Sequence, residues 1–89
     1  MEENMCPVDV ISLCSAGGEL RPLRLRLENG EHQLLRMDIE EILSVRQIPY
    51  VGAEAYLFRC RVSHEGFRWL VELRYSIRTH SWCLMKRIC

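Results

Sequence analysis

The feature that most constrains the fold is a strict alternation of apolar and polar side chains in two stretches, residues 56–62 and 67–77. The apolar positions are even-numbered in the first stretch and odd-numbered in the second: Tyr56, Phe58, Cys60 and Val62, then Phe67, Trp69, Val71, Leu73, Tyr75 and Ile77. Successive side chains of a β-strand point to opposite faces of a sheet. The pattern is therefore typical of antiparallel strands with one face inward and the other toward water.

A two-residue turn between the stretches determines how they pair. With Glu65 and Gly66 at the centre of this turn, Val62 lies opposite Trp69 and the apolar residues of both strands share one face. A shift of one residue would set Val62 against Arg68, and burial rejects it because it would carry charge inward. The predicted pairs are Val62–Trp69, Cys60–Val71, Phe58–Leu73 and Tyr56–Tyr75.

A second turn at residues 79–80 predicts a third strand, with Ile77 opposite Trp82. In this register Arg87 lies beside Glu72 on the outer face. Lys86 falls on the inward side, where its long stem can reach an open rim of the barrel. The other pairs in this register are Tyr75–Leu84, Leu73–Lys86 and Val71–Ile88.

The first half of the chain also contains strand and turn signals. Residues 8–14 predict a first strand, and the turn signal at residues 16–18 follows it. Leucine alternates with charged residues through 23–28, which predicts a second strand. Asn29-Gly30 is a strong signal for a type I′ hairpin turn, because both central positions of that turn need positive φ. The pairs predicted from this turn are Glu28–Glu31, Leu27–His32 and Leu25–Leu34.

Residues 38–47 allow two interpretations. Asp38 and Glu41 have the spacing of a helix capping box, and the apolar residues between 39 and 43 fit a helical period. The same stretch also reads as a bent strand. The strand is preferred, because β-branched residues are frequent here and a barrel strand must bend, often at a bulge. The side chains expected to face inward are Met37, Ile39, Leu43 and Val45.

Together these signals predict an all-β fold with little helix. Five or six antiparallel strands with short turns indicate a small closed or nearly closed barrel, SH3-like, or a strongly bent meander sheet. We expect residues 1–6 to be a flexible N-terminus and residues 7–89 to form a single small β-barrel domain.

Composition and termini indicate a cytoplasmic protein that does not enter a membrane. No apolar run approaches the roughly 20 residues of a membrane-spanning helix. The sequence starts with Met1-Glu2-Glu3-Asn4, which does not resemble a secretory signal peptide. Five cysteines without a C-x-x-C motif indicate reduced thiols, and Cys60 is expected to be a small core residue.

No pattern in the sequence indicates an enzyme, a cofactor or a metal site. A G-x-S-x-G motif is absent, and the glycines are isolated turn residues that form no phosphate-binding loop. His64 and His80 belong to turns at opposite ends of one predicted strand, about 30 Å apart at 3.3 Å per residue, so they cannot share an ion.

The outward side of residues 56–88 is the candidate functional surface. We call it the arginine face, and its charged members are six arginines and one glutamate: Arg59, Arg61, Arg68, Arg74, Arg78, Arg87 and Glu72. The net charge of the chain is zero, but residues 1–45 carry −5 and residues 46–89 carry +5. Apolar side chains lie between the charges on this face: Leu57, Leu70, Cys83 and Met85.

Three interpretations of the arginine face remain open from sequence. It can be a solvated barrel wall whose arginines pair with acids of the N-terminal half. It can bind a partner protein or a second copy of the chain, which the interleaved apolar residues favour. It can bind nucleic acid through phosphate contacts, although the two tryptophans that could stack on bases both fall on the inward side, which weakens this interpretation. The binding residues predicted for either partner are Arg59, Arg61, Arg68, Arg74, Arg87, Leu57, Leu70 and Met85.

The order of several short motifs resembles a family of small uncharacterised bacterial domains, some of which are encoded near translesion-type DNA polymerases or appended to related proteins. The motifs that carry the resemblance are Pro7-Val8-x-Val10, Arg21-Pro22, Val71-Glu72-Leu73-x-Tyr75 and Trp82-x-Leu84. The resemblance implies an accessory domain without known catalytic residues that works beside a DNA-handling partner. It agrees with the prediction of a binding module.

Overall fold

The computed structural model describes residues 6–28 and 30–87, with the backbone alone at Arg87. These residues form six strands: β1 (Cys6–Cys14), β2 (Leu20–Glu28), β3 (Leu34–Ile48), β4 (Ala55–His64), β5 (Phe67–Ser76) and β6 (Ser81–Arg87). Each strand pairs antiparallel with the next, and β6 returns to pair with β1, which closes a barrel. The prediction of a small all-β barrel is confirmed. The described part of the chain contains no helix long and apolar enough to cross a membrane.

Three sequence predictions fall partly on residues outside this description. The expected flexible N-terminus included Cys6, which instead pairs with Leu84 as the first residue of β1. Residues 1–5 lie outside the described part, as do Asn29 of the predicted hairpin turn and Ile88, the predicted partner of Val71.

The core is formed mainly by alternate side chains of β4 and β5, as the period-two pattern predicts. Phe58 and Leu73 lie opposite each other in the two strands, and both are fully buried. Trp82 of β6 packs its ring 5.4 Å from Phe58 and 4.9 Å from Tyr75, measured between ring centroids. The buried cluster consists of Leu25, Phe58, Cys60, Val62, Val71, Leu73 and Trp82.

The β4–β5 hairpin has the predicted register along its whole length. All four predicted pairs, from Val62–Trp69 to Tyr56–Tyr75, are present without a bulge. Glu65 and Gly66 have φ values of 51° and 85°. Positive φ at both central residues is typical of a type I′ turn, whose twist matches that of the flanking strands.

The predicted β5–β6 register is wrong by two residues. Trp82 pairs with Tyr75, not with Ile77, and β5 ends at Ser76. The connection is four residues long, and the Tyr75 hydroxyl lies 2.8 Å from Nδ1 of His80 within it. The observed register brings the Trp82 and Tyr75 rings into a tilted contact, and this aromatic contact favours it over the tighter turn.

A bulge at Met85 changes the rest of β6. Leu73 pairs with Leu84, but the next pair is Glu72–Lys86, which leaves Met85 as the extra residue. Lys86 is therefore exposed on the outer face, and the prediction that it points inward is wrong. Arg87 pairs with Val71 through its backbone and does not lie beside Glu72 as predicted.

The predicted β2–β3 register is wrong by three residues. Glu28 pairs with Leu34 and Leu25 pairs with Met37, so a five-residue connection replaces the two-residue turn. An odd shift exchanges the two faces of a strand. The tight turn would have carried Arg36 and Asp38 inward, whereas the observed register packs Met37 and Ile39 against the core and leaves Leu34 exposed.

Residues 38–47 are a strand, as preferred from sequence, and they belong to β3. The register against β4 shifts twice, between Ile39 and Glu41 and between Ile42 and Ser44. Because each bulge changes the face on which the following side chains lie, Ile42 packs on the core. The prediction that Leu43 faces inward is wrong, since Leu43 is the extra residue of the second bulge and is exposed. Val45 lies on the inward face opposite Phe58, as predicted, but it is not a core residue because 54% of its surface is exposed.

The ends of β1 and β2 extend beyond the barrel as a two-stranded ribbon, which comprises residues 10–14 and 20–23. β1 pairs with β6 only as far as Val8, and β2 pairs with β3 only from Arg24 onward. A bulge near Leu23 exposes that side chain and buries Pro22 instead. Each ribbon strand therefore has one paired edge and one edge without a partner among the described strands.

Candidate binding surfaces

Strand pairing arranges the arginine face in rows that run across β3, β4 and β5. Side chains at paired positions lie on the same face, so β3 also contributes residues to this surface. The rows are Arg46–Leu57–Arg74, Ser44–Arg59–Glu72 and Glu41–Arg61–Leu70. The sequence analysis missed Arg46 and Glu41, because the β3 bulges concealed which of its residues stand opposite β4.

Glutamates of the chain itself neutralise much of this face. Arg61 makes an ion pair with Glu41. Nε of Arg68 lies 3.3 Å from Oε1 of Glu40. Nη2 of Arg59 lies 3.8 Å from Oε2 of Glu72. The expectation of one opposing glutamate is therefore wrong: the β3 bulge brings two more, and the surface is a mosaic of both signs.

Arg46 and Arg74 differ from these three arginines. Within residues 6–28 and 30–87, neither guanidinium contacts a carboxylate, and Nη2 of Arg74 makes only a 3.4 Å hydrogen bond to the carbonyl of Ala53. The two arginines flank Leu57 from neighbouring strands. This row combines uncompensated positive charge with an apolar side chain between its two members.

The other predicted members of the face are placed differently. Leu70 lies directly opposite Arg61, and Met85 occupies the β6 bulge; both are half-buried. Arginine stems can cover such apolar surface while their charged ends stay in water. Arg78 lies in the β5–β6 connection and not on the sheet, and the side chain of Arg87 lies outside the described part.

An open cleft is a second surface, and the sequence analysis did not predict it. It lies where β2 and β3 separate above their last pair, Arg24–Asp38, and it has a volume of about 810 Å³. The term cleft refers below to the space between residues 18–23 and residues 39–45. Its apolar lining consists of Leu20, Pro22, Leu23, Ile39, Ile42, Leu43, Val45, Tyr56 and Phe58.

One signal for the cleft was present in the sequence. Pro22 lies inside a strand, and proline is confined to strands with an unpaired edge because it has no N–H to donate. Pro22 indeed lies in the part of β2 that pairs, among the described strands, with β1 alone.

Two side chains of reactive types in the barrel, Cys60 and His64, are respectively buried and hydrogen-bonded. Burial raises the pKa of the Cys60 thiol to about 12, which leaves it protonated at neutral pH. Nδ1 of His64 lies 2.8 Å from the carbonyl oxygen of Arg36. Among the described residues, no group of three or more His, Cys, Asp or Glu side chains is placed to hold a metal ion.

No protein-family model matches the chain, and the searches found no similar curated protein and no similar solved structure. The resemblance to polymerase-associated domains and the SH3-like assignment therefore stay predictions. Functional proposals rest on the geometry of the two surfaces alone.

Proposed function

We propose that the protein is a non-catalytic binding module that makes protein–protein contacts through the arginine face, with a second copy of the chain as its partner. The observation that carries this proposal is the Arg46–Leu57–Arg74 row, which places two uncompensated guanidinium groups around a half-buried leucine. Arginine beside apolar surface is typical of protein interfaces.

A second copy suits this face because the surface contains both charge signs. In a two-fold dimer each side of the interface meets the same surface of the other copy, so complementary groups must lie on one face. Arg74 and Glu72 are neighbours on β5, with Leu57 beside them on β4. Carboxylates of the partner copy can then reach Arg74, and the leucines can pack at the centre.

Nucleic-acid binding with the same arginines is the alternative. Phosphate binding is driven by positive charge that releases counterions. On this face Arg59, Arg61 and Arg68 already contact carboxylates, which lowers the local potential. This neutralisation is the reason why the protein interface is preferred.

Sedimentation velocity over a range of protein concentrations tests the proposal. We expect a dimer that Leu57→Glu converts to a monomer, whereas Leu34→Glu, at an exposed position of β3 away from the face, leaves it intact. A protein that stays monomeric at about millimolar concentration, the weak limit of specific association, rejects the homodimer.

Titration of labelled single- and double-stranded oligonucleotides, followed by fluorescence anisotropy at several salt concentrations, tests the alternative. Steeply salt-dependent binding that an Arg46→Glu, Arg74→Glu variant loses would favour the phosphate-binding function over the protein interface.

A further inference from the structure

The cleft is bounded by two strand edges that have no partner strand. β2 pairs with β1 at residues 20–22 but with β3 only from Arg24 onward. β3 continues from Glu41 to Ile48 paired with β4 alone. Backbone C=O groups, and N–H groups except at Pro22, have no ladder partner along these edges in the described part of the chain, and such groups bind readily to another extended chain.

The interior of the cleft is apolar and leads to the core. Ile39 and Ile42 pack against the buried cluster, and Phe58 of that cluster lines the cleft floor. Val45 lies opposite Phe58 in the β3–β4 ladder, yet 54% of its surface is exposed, because no strand covers it from the β2 side. A long strand edge with exposed apolar side chains is a site for strand addition.

We propose that the cleft binds an extended peptide segment of a partner protein as an added β-strand between β2 and β3. Strand addition supplies main-chain hydrogen bonds along the edges, and alternate side chains of the peptide enter apolar pockets. The segment carries apolar residues at every second position, which face Val45 and Ile42 above the buried Phe58.

The charges around the cleft indicate which residues alternate with the apolar ones. The charged lining consists of three glutamates and one arginine: Glu19, Glu40, Glu41 and Arg21. Glu40 and Glu41 contact arginines of the barrel wall, but their carboxylates are partly exposed, and that of Glu19 has no ion-pair partner among the described residues. Lysine or arginine is therefore expected at the outward positions of the segment.

A barrel strand of a second copy fits this cleft less well than a free segment does. The strands of the barrel already have at least one paired edge, so such a strand could not pair with both β2 and β3. A segment that is unpaired before binding can satisfy both edges. The row and the cleft share β3, but neighbouring side chains of a strand point to opposite faces, so Arg46 lies on the outer face and Val45 on the cleft side. The two proposals therefore depend on different side chains and can fail independently.

The probe is a nine-residue peptide with blocked ends in which valine alternates with lysine, labelled for fluorescence anisotropy. We expect saturable binding to the full chain and slower amide hydrogen exchange in residues 40–45 when the peptide is bound. The same peptide with N-methylated valines cannot donate main-chain hydrogen bonds from its valine residues. It should bind at least about tenfold more weakly. A peptide with glutamate in place of lysine should also bind more weakly.

Two matched variants test the position of the site. Val45→Asn removes an apolar contact in the cleft without adding charge, and we expect about tenfold weaker binding, as for the loss of one buried valine contact. Leu34→Asn changes a residue of the same strand with a similar exposure of 58%, outside the cleft, and should bind normally. The double variant Arg46→Glu, Arg74→Glu should also bind the valine–lysine peptide normally.

Three results would overturn the proposal. The first is no binding of the valine–lysine peptide at about 1 mM, a concentration at which even weak specific complexes form. The second is equal binding of the N-methylated peptide, which would show that the valine N–H groups donate no hydrogen bonds to a strand edge of the cleft. The third is equal loss of binding in Val45→Asn and Leu34→Asn.

Discussion

The β4–β5 hairpin and the β1–β2 ribbon are both antiparallel pairs joined by short turns, but their apolar residues have different environments. In β4, Phe58, Cys60 and Val62 are buried, because β3 and β5 flank the strand and the opposite wall covers it. In the ribbon, Ile11 and Leu13 are 60% and 46% exposed. The hairpin has an exception at its tip, where Phe67, predicted from the alternation to face inward, is exposed beside the turn.

This difference has a simple physical origin. A strand with a neighbour on each side, as in β4, uses both edges for hydrogen bonds and one face for the core. The ribbon strands have one neighbour, so one edge and much of their apolar surface stay available. Stability should therefore concentrate in the hairpin, and strand binding should concentrate at the separation of β2 and β3.

The largest difference in stability between the two regions is expected when a core residue of the hairpin is truncated. Leu73→Ala, at a fully buried position of β5, should lower the free energy of unfolding by about 2–5 kcal/mol through lost burial and a residual cavity. Leu13→Ala in the ribbon should change it by less than about 0.5 kcal/mol. Urea unfolding followed by circular dichroism measures both, and similar losses in the two variants would contradict the comparison.

A smaller effect is expected from charge on the outer side of the hairpin. The side chain of Glu72 is only 15% exposed, and its Oε2 lies 3.8 Å from Nη2 of Arg59 on β4. On its other side Glu72 pairs with Lys86 of β6. Glu72→Arg would bring three cations together, and we expect a loss of about 1 kcal/mol or more in the free energy of unfolding. Thermal unfolding should show almost no change for Glu19→Arg beside the exposed turn of the ribbon. An unchanged melting temperature for Glu72→Arg would mean that the cross-strand neighbours are assigned incorrectly.

The smallest effect concerns cysteine chemistry in the two regions. Burial raises the pKa of Cys60 from its ordinary value of 9.0 to about 12, whereas Cys14 at the end of the ribbon is exposed. At pH 8, iodoacetamide should modify Cys14 rapidly and Cys60 only after unfolding, as mass spectrometry of digested protein would show. Rapid modification of Cys60 in the native protein would show that the barrel opens locally.

The same pKa shift has a consequence for alkaline stability. Between pH 9 and 12 the unfolded thiol loses its proton while the buried thiol keeps it, so the native state binds more protons and stability falls as pH rises. Below pH 9 this contribution is fully present. The difference in unfolding free energy between the natural chain and Cys60→Ala should therefore shrink above pH 9.

Strand registers were predictable from sequence where the segment is locally regular. The β4–β5 register was predictable because both strands alternate without a bulge and a Glu-Gly turn joins them. The β2–β3 register was not, because a good two-residue turn signal at residues 29–30 competed with burial of Met37 and Ile39, and burial decided the outcome. The β5–β6 register depended on where Trp82 could pack.

The amino-acid sequence by itself determined that the chain is all-β, where the central hairpin pairs and which of its side chains form the core. These properties depend on alternation and turn geometry, which are local. Only the tertiary structure decided the two bulges of β3, the neutralisation of three arginines and the open cleft beside β2. Each of these results from closing six unequal strands into one barrel, where a residue's neighbours depend on the register of every other strand.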